Sequence, residues 1–354
     1  MNDELSSRKK KLLYNAIDNY IKVASPITSL LVKQSTLHDL STATIRNELN
    51  ALEAMGYLKQ LHTSSGRVPT SKGYRFFVDE TLKETQCDEK NLKKIRNDLY
   101  ARTGNLSEIV DSISNAVLGA TNYPTVFMFD GFENLVVQDI RVVFLLKGQV
   151  LVLIETNIGA MSSTIASKDN ITKQDCDTAS NVFNNIFVGK TIGFLMQNMS
   201  DFNKTIKQTM SQYEDVFKLV LQVLDVYYKK TKSSVQGVTK LLNSPDLKSI
   251  DKAKDILEIL EDDNNLLDVM ETGDDITIDI GDETGKSELS SCAVIKAPIV
   301  YDGQKIATVG VIGPDRIDYA SVASVLKIVS DEIKNLSQGE KNGRKKEEWE
   351  RLKR

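Results

Sequence analysis

At 354 residues the chain is too long for one small domain and suits two or three, and its 41% hydrophobic content is ample for ordinary cores. No apolar run approaches the roughly 18 residues of a spanning helix, and the N-terminus, Asp3-Glu4-Leu5 then Arg8-Lys9-Lys10-Lys11, lacks the apolar segment of a signal peptide, so a cytoplasmic protein with no membrane partner is expected. The net charge of −4 is split, because residues 1–82 hold 11 Lys and Arg against 8 Asp and Glu, a net of +3 that leaves −7 on the remainder; a basic head on an acidic body suggests that the head faces phosphate.

Lys11 to Val23 sets Leu12, Leu13, Ala16, Ile17 and Tyr20 at helical spacing, a first core helix. Ser25-Pro26 stops it and starts a second helix that runs to about Ser35, since proline is tolerated in a first turn and disfavours helix in the residue before it. A third helix begins at Ser41, whose hydroxyl suits an N-cap. Ile45, Leu49 and Leu52 fall on one face of it, and Ala43, Asn47, Asn50 and Ala54, flanked by Arg46, fall on the opposite one.

That outer face has no large hydrophobe to bury. Alanine lets a helix approach a groove floor, Arg46 can bond a guanine edge in bidentate fashion, and Asn47 or Asn50 can do the same to adenine, each good pair giving roughly 1–3 kcal/mol of discrimination. On its own such a face also reads as solvated helix; the Pro-started helix before it and the hairpin after it turn the reading toward DNA. Gly56 ends the third helix, and Tyr57 to Leu61 with Val68 make a short β pair around His62-Thr63-Ser64-Ser65-Gly66-Arg67. Pro69-Thr70 then introduces a helix with Tyr74, Phe77 and Val78 facing inward. Helix, turn, helix and a hairpin with a basic tip is the order of a winged helix-turn-helix, a unit that reads duplex DNA. Arg46, Asn47 and Asn50 are the expected base readers. Ser41, Thr42, Thr44, Lys59, Arg67 and Lys72 are expected to hold phosphates, which makes binding strongly salt-dependent.

From Lys83 to Arg102 the chain is highly charged, with Leu92, Ile95 and Leu99 as its apolar stripe, and reads as a linker helix or hinge. Asn105-Leu106-Ser107-Glu108 has the capping-box shape and opens an amphipathic helix to Gly119. Strands follow over 125–129, 135–146 and 150–155, and this order marks an α+β domain. A helix over 179–187 precedes a longer one in which Ile206, Met210, Tyr213, Phe217, Val220, Leu224 and Tyr227 form a heptad seam; it either packs on its own domain or pairs across a dimer axis. Asp255 to Glu283 contains 12 acidic residues and no Lys or Arg, and reads as a solvated face. Strands resume over 276–280, 293–300 and 305–312, with Asp302-Gly303 as a hairpin turn, before a final amphipathic helix over 321–336 and a charged tail. Two strand groups separated by a helical block are either two domains or one domain with an insertion.

Catalytic chemistry is not signalled. Cys87, Cys176 and Cys292 lie far apart with no paired ligand spacing, and the two histidines, His38 and His62, leave the rest of the chain without that residue. Gly189-Lys190-Thr191 suggests a phosphate loop, but a Walker A motif needs glycine where Asn184 stands. No G-x-S-x-G or H-E-x-x-H occurs. No enzyme, cofactor or metal site is expected.

The wording of several stretches resembles a family. Thr44-Ile45-Arg46-Asn47-Glu48-Leu49, Met55-Gly56-Tyr57-Leu58 and the run from His62 through Gly66-Arg67-Val68-Pro69-Thr70 to Phe76 look like the N-terminal domain of the heat-inducible transcription repressors, the HrcA family. Gly237-Val238-Thr239-Lys240-Leu241-Leu242-Asn243-Ser244-Pro245, Glu288-Leu289-Ser290-Ser291-Cys292 and Gly310-Val311-Ile312-Gly313-Pro314-Asp315-Arg316 extend the likeness in order along the chain. In the second helix, Ile27 and Leu30 stand where the family pattern has glycine and a basic residue.

The resemblance implies a winged-helix DNA-binding domain (1–82), a linker helix (83–104), a GAF-like α+β domain (105–165 and 235–340) interrupted by an inserted dimerising domain (166–234), and a charged tail (341–354). It also implies a homodimer that binds an inverted-repeat operator in double-stranded DNA upstream of chaperone genes. A chaperonin keeps such a repressor active until misfolded proteins occupy it on heat shock. A metabolite-gated winged-helix regulator is the alternative, and an enzyme fused to a DNA-binding head is a third class.

Overall fold

The protein is described here from a computed structural model, which covers residues 5–35, 40–60, 66–82, 95, 106–129, 131–146, 148–166, 171–202, 204, 214–231, 233–242, 250–301 and 303–352. The chain is α+β, as expected. Its first unit is built from α1 (Ser7–Val23), α2 (Ser29–Ser35), α3 (Thr42–Ala54), the strands β1 (Leu58–Gln60) and β2 (Arg67–Pro69), and α4 (Ser71–Thr81). Leu12, Leu13, Ala16 and Ile17 of α1 meet Ile45, Leu49 and Leu52 of α3 and Tyr74, Phe77 and Val78 of α4 in one buried cluster. Gly56, at φ +78°, turns the chain out of α3, a conformation that a side chain would strain.

The second helix begins later than its proline suggests. Pro26 and Ile27 stay extended because Ile27 exchanges both backbone hydrogen bonds with Arg67 of β2, at 2.7 and 2.9 Å; α2 then starts with the Thr28 hydroxyl accepting from the Leu31 amide. Ile27, one of the two departures from the family pattern, is buried as a core residue beneath this extra pairing, while the other, Leu30, is exposed. The approach is close enough that a Cβ on Gly66 would come within 2.8 Å of the Ile27 carbonyl oxygen.

The body contains two separate sheets. In the first, β3 (Thr125–Phe129), β7 (Ser233–Gln236), β8 (Thr277–Ile280), β9 (Cys292–Tyr301) and β10 (Gln304–Pro314) pair antiparallel in the order β7-β3-β10-β9-β8. Alternate residues serve opposite faces. Phe127, Ile295, Val309 and Val311 join the main core, which includes α5 (Leu106–Thr121) and α12 (Tyr319–Leu352). Val126, Met128, Val294 and Ile312 belong to a second cluster with Ile256, Ile259 and Leu260 of α10 (Ile250–Glu261) and Leu266, Val269 and Met270 of α11 (Asp263–Met270); the short α9 (Val238–Leu242) precedes these helices.

The second sheet joins β4 (Val137–Leu146), β5 (Gln149–Thr156) and β6 (Ala160–Ala166), with α6 (Lys173–Phe187), α7 (Ile192–Gln197) and α8 (Glu214–Thr231) around it. The sheets therefore divide the chain earlier than the expected boundary at 166: it leaves the five-stranded sheet after Phe129 and returns to it at Ser233, beside β3. The strands over 137–166 belong with the inserted helices. Asn184, the residue that breaks the Walker A pattern, accepts from the Ile140 amide and donates to the Ile140 carbonyl, while Ser180 accepts from the Val142 amide, so α6 covers an otherwise open strand edge. Phe217, Val220 and Leu224 of the heptad seam are buried with Phe183 and Phe187 of this same unit; Ile206, Met210 and Tyr213 lie outside the described residues.

Candidate nucleic-acid interface

The candidate site is the outer face of α3. Ser41 caps the helix, its hydroxyl accepting from the Thr44 amide at 3.1 Å, and Thr44 adds a hydroxyl–hydroxyl contact with Ser41. Ile45, Leu49 and Leu52 anchor the inner face at zero exposure, so rotation of the helix about its axis is fixed by packing. Thr42, Ala43, Arg46, Asn47, Asn50 and Ala54 are consequently exposed together. The structure brings the three expected base readers onto one uncovered strip.

Glu48 is the charged residue on the inner face. It is buried beside Leu49, and its carboxylate is met by Arg8 and, at 3.8 Å, by Lys9, both from α1. A lone carboxylate there would be costly, so two basic residues of the N-terminal Arg-Lys run serve the frame of the unit. The signal was available in the sequence: Glu48 falls between Ile45 and Leu52 on the apolar stripe.

Among the expected phosphate contacts, Lys59 is exposed on β1. Arg67 and Lys72 are engaged elsewhere. The Arg67 side chain is only 12% exposed; its Nε donates to Glu53 at 2.7 Å and its Nη2 to the Asn50 side-chain oxygen, both on α3. Lys72 donates to the Met55 carbonyl at 2.9 Å, where α3 ends, and lies over the Tyr57 ring. These two cations tie β2 and α4 to α3, a role favoured by the short reach from the neighbouring strand and helix. The wing tip, residues 61–65, lies outside the described residues, as does the linker but for Ile95.

Sequence reasoning missed a further pair. Arg75 of α4 reaches the body, where its guanidinium meets the Glu283 carboxylate with two donors and also the Ile278 carbonyl. Nothing local marks either residue, which lie 208 positions apart. Among the described residues no cluster of His, Cys, Asp or Glu is placed to hold a metal, and no helix is long and apolar enough to cross a membrane.

Comparison with known proteins adds names to this geometry. The family model for the HrcA protein C terminal domain matches residues 107–323. The heat-inducible transcription repressor HrcA of Acetivibrio thermocellus is 31% identical, with 93% of this chain and 95% of the relative aligned. That of Clostridium botulinum (strain Eklund 17B / Type B) is also 31% identical, over 94% and 98%. A solved structure of a hypothetical protein superposes with a TM-score of 0.76 at 21% identity, covering 95% of this chain and 99% of its own, a likeness of fold.

Proposed function

This chain belongs to the heat-inducible transcription repressor family, HrcA, and from that premise we propose that residues 1–82 form a winged helix-turn-helix that lays α3 in the major groove of double-stranded DNA. The chain is a negative regulator of heat-shock gene transcription. The observation that carries the DNA reading is the exposed strip of Arg46, Asn47 and Asn50 on a helix whose opposite face is locked into a core. Arg46 and Asn47 present exposed polar ends to base edges. Asn50 presents an amide whose oxygen is already oriented by Arg67. Ser41, Thr42, Thr44 and Lys59 face the phosphates, and Arg67 and Lys72 act mainly by holding the frame.

In this reading a homodimer sets two α3 helices against an inverted repeat, since a two-fold protein matches a two-fold site. The family resemblance supports a GAF-like five-stranded domain, an inserted unit that makes the dimer, action in the cytoplasm, and a chaperonin that sustains repression until misfolded protein draws it away. Fluorescence anisotropy of the purified protein tests this, on an inverted-repeat chaperone-operon duplex and a scrambled one, at two salt concentrations and with and without chaperonin. A preference for the repeat that sharpens with chaperonin is the expected result. Equal weak binding to both duplexes under every condition would sink the reading.

A further inference from the structure

The contact between α4 and the body joins an ion pair to a buried ring contact. Arg75 Nε donates to Glu283 Oε1 at 3.0 Å while Nη2 donates to Oε2 and to the Ile278 carbonyl of β8, which lies at one edge of the five-stranded sheet. Glu283 is itself held in place, accepting from the Ile280 amide at 2.9 Å. Beside this pair Gly281, at φ +57°, lets the chain pass so near α4 that a Cβ there would fall 2.7 Å from the Ser71 hydroxyl. Tyr74 packs its ring against Tyr319 at 6.1 Å between centroids, and burial pushes both phenols up, so they stay uncharged. The neighbouring Glu283 raises the Arg75 guanidinium further above its ordinary value.

Helix α4 carries this joint on one side and, on the other, the core residues that fix α3. A bidentate Arg–carboxylate contact defines an orientation as well as a distance. The reading face of α3 remains exposed in this docked arrangement. We infer that Arg75 and Glu283 are positioning residues for DNA recognition: they fix the head on the body and thereby set the half-site spacing that the dimer accepts. The inference rests on the reading of the chain as a dimeric repressor of an inverted repeat. Its consequence is that loosening the joint weakens binding to the correctly spaced site and relaxes the penalty for a wrong spacing, because heads free to swivel lose pre-organisation and gain reach.

The test uses the full chain and a repeat that the wild-type protein selects from a randomised duplex pool, together with the same repeat lengthened by about five base pairs, half a helical turn, between half-sites. Arg75→Ala and Glu283→Gln are each expected to lower affinity for the selected repeat by about tenfold while narrowing the ratio between the two spacings, and the double variant to do no more than either single one. Hydrogen–deuterium exchange follows the same proteins without DNA: residues 277–281 exchange faster in both variants while 45–52 in the head core keep their protection. Unchanged affinity and unchanged spacing ratio in both variants would overturn the inference, as would loss of protection over 45–52, which would make the pair a folding contact. A wild-type protein that selects no repeat would sink the repressor reading and the positioning role with it, yet faster exchange at 277–281 would still establish the joint.

Discussion

The outer face of α3 and the inner face of α11 are built from opposite residue types, and the contrast separates the part of this chain that meets a partner from the part that meets itself. On α3, Arg46, Asn47 and Asn50 stand exposed over a packed inner stripe. On α11, Leu266, Val269 and Met270 are driven into the five-stranded sheet against Val126, Met128, Val294 and Ile312, with Met270 so close to Gly310 that a Cβ there would meet its methyl carbon at 2.7 Å. Lys296, buried in the same sheet, is neutralised by Asp279 at 2.8 Å and donates to the Val269 carbonyl at the end of α11. A ligand approaching this sheet face meets side chains of the chain's own helices. This filled face offers no space to a metabolite.

The contrast is broken most severely by emptying the sheet face. Met270→Ala removes a fully packed side chain and is expected to cost about 2–5 kcal/mol of unfolding free energy, read as a lower urea midpoint with an unchanged slope. A variant as stable as the wild type would mean that α11 merely rests on the sheet. Next in size is Arg46→Ala on the open face. It should remove about 1–3 kcal/mol of preference for the repeat over a scrambled duplex while leaving nonspecific binding in place. Undiminished preference would place the wrong face of α3 toward the bases.

Local periodicity made the helices and their buried sides legible: Ile45, Leu49 and Leu52 are buried where their spacing put them, and Ser41 and Thr70 cap the helices that follow them. Strands were legible as strands but their sheet was not. The short turn at Lys147-Gly148-Gln149 joins β4 to β5, and that pairing is what forms, but neither the turn nor the alternation in 137–156 says that β4 stands apart from β3 in a separate sheet. The acidic run shows the same limit. Composition reads Asp255 to Glu283 as solvated and most of its carboxylates are exposed, but composition does not say which of them pair: Asp279, Glu283 and Asp268 meet Lys296, Arg75 and Lys286. Those partners lie in other elements. The third strand of the inserted sheet, β6, went unnoticed because Ser162, Ser163 and Thr164 interrupt its apolar alternation.

The smallest effects fall on two cations of the wing strands, and they distinguish the two ways a basic residue can serve the open face. Arg67 is turned inward on Glu53 and Asn50, whereas Lys59 is exposed. Arg67→Ala therefore behaves like a weakened base reader: specificity for the repeat falls as Asn50 loses its orientation, by about 1 kcal/mol, and the salt dependence stays as it was. Lys59→Ala behaves as a lost phosphate contact, weakening repeat and scrambled duplex alike and making the slope of log affinity against log salt shallower by about 0.9 for each site lost. Measuring both variants across the same salt series decides the assignment. A shallower slope for Arg67→Ala would show that its guanidinium leaves Glu53 for the backbone when DNA arrives, and the inward contacts would then describe only the unbound head.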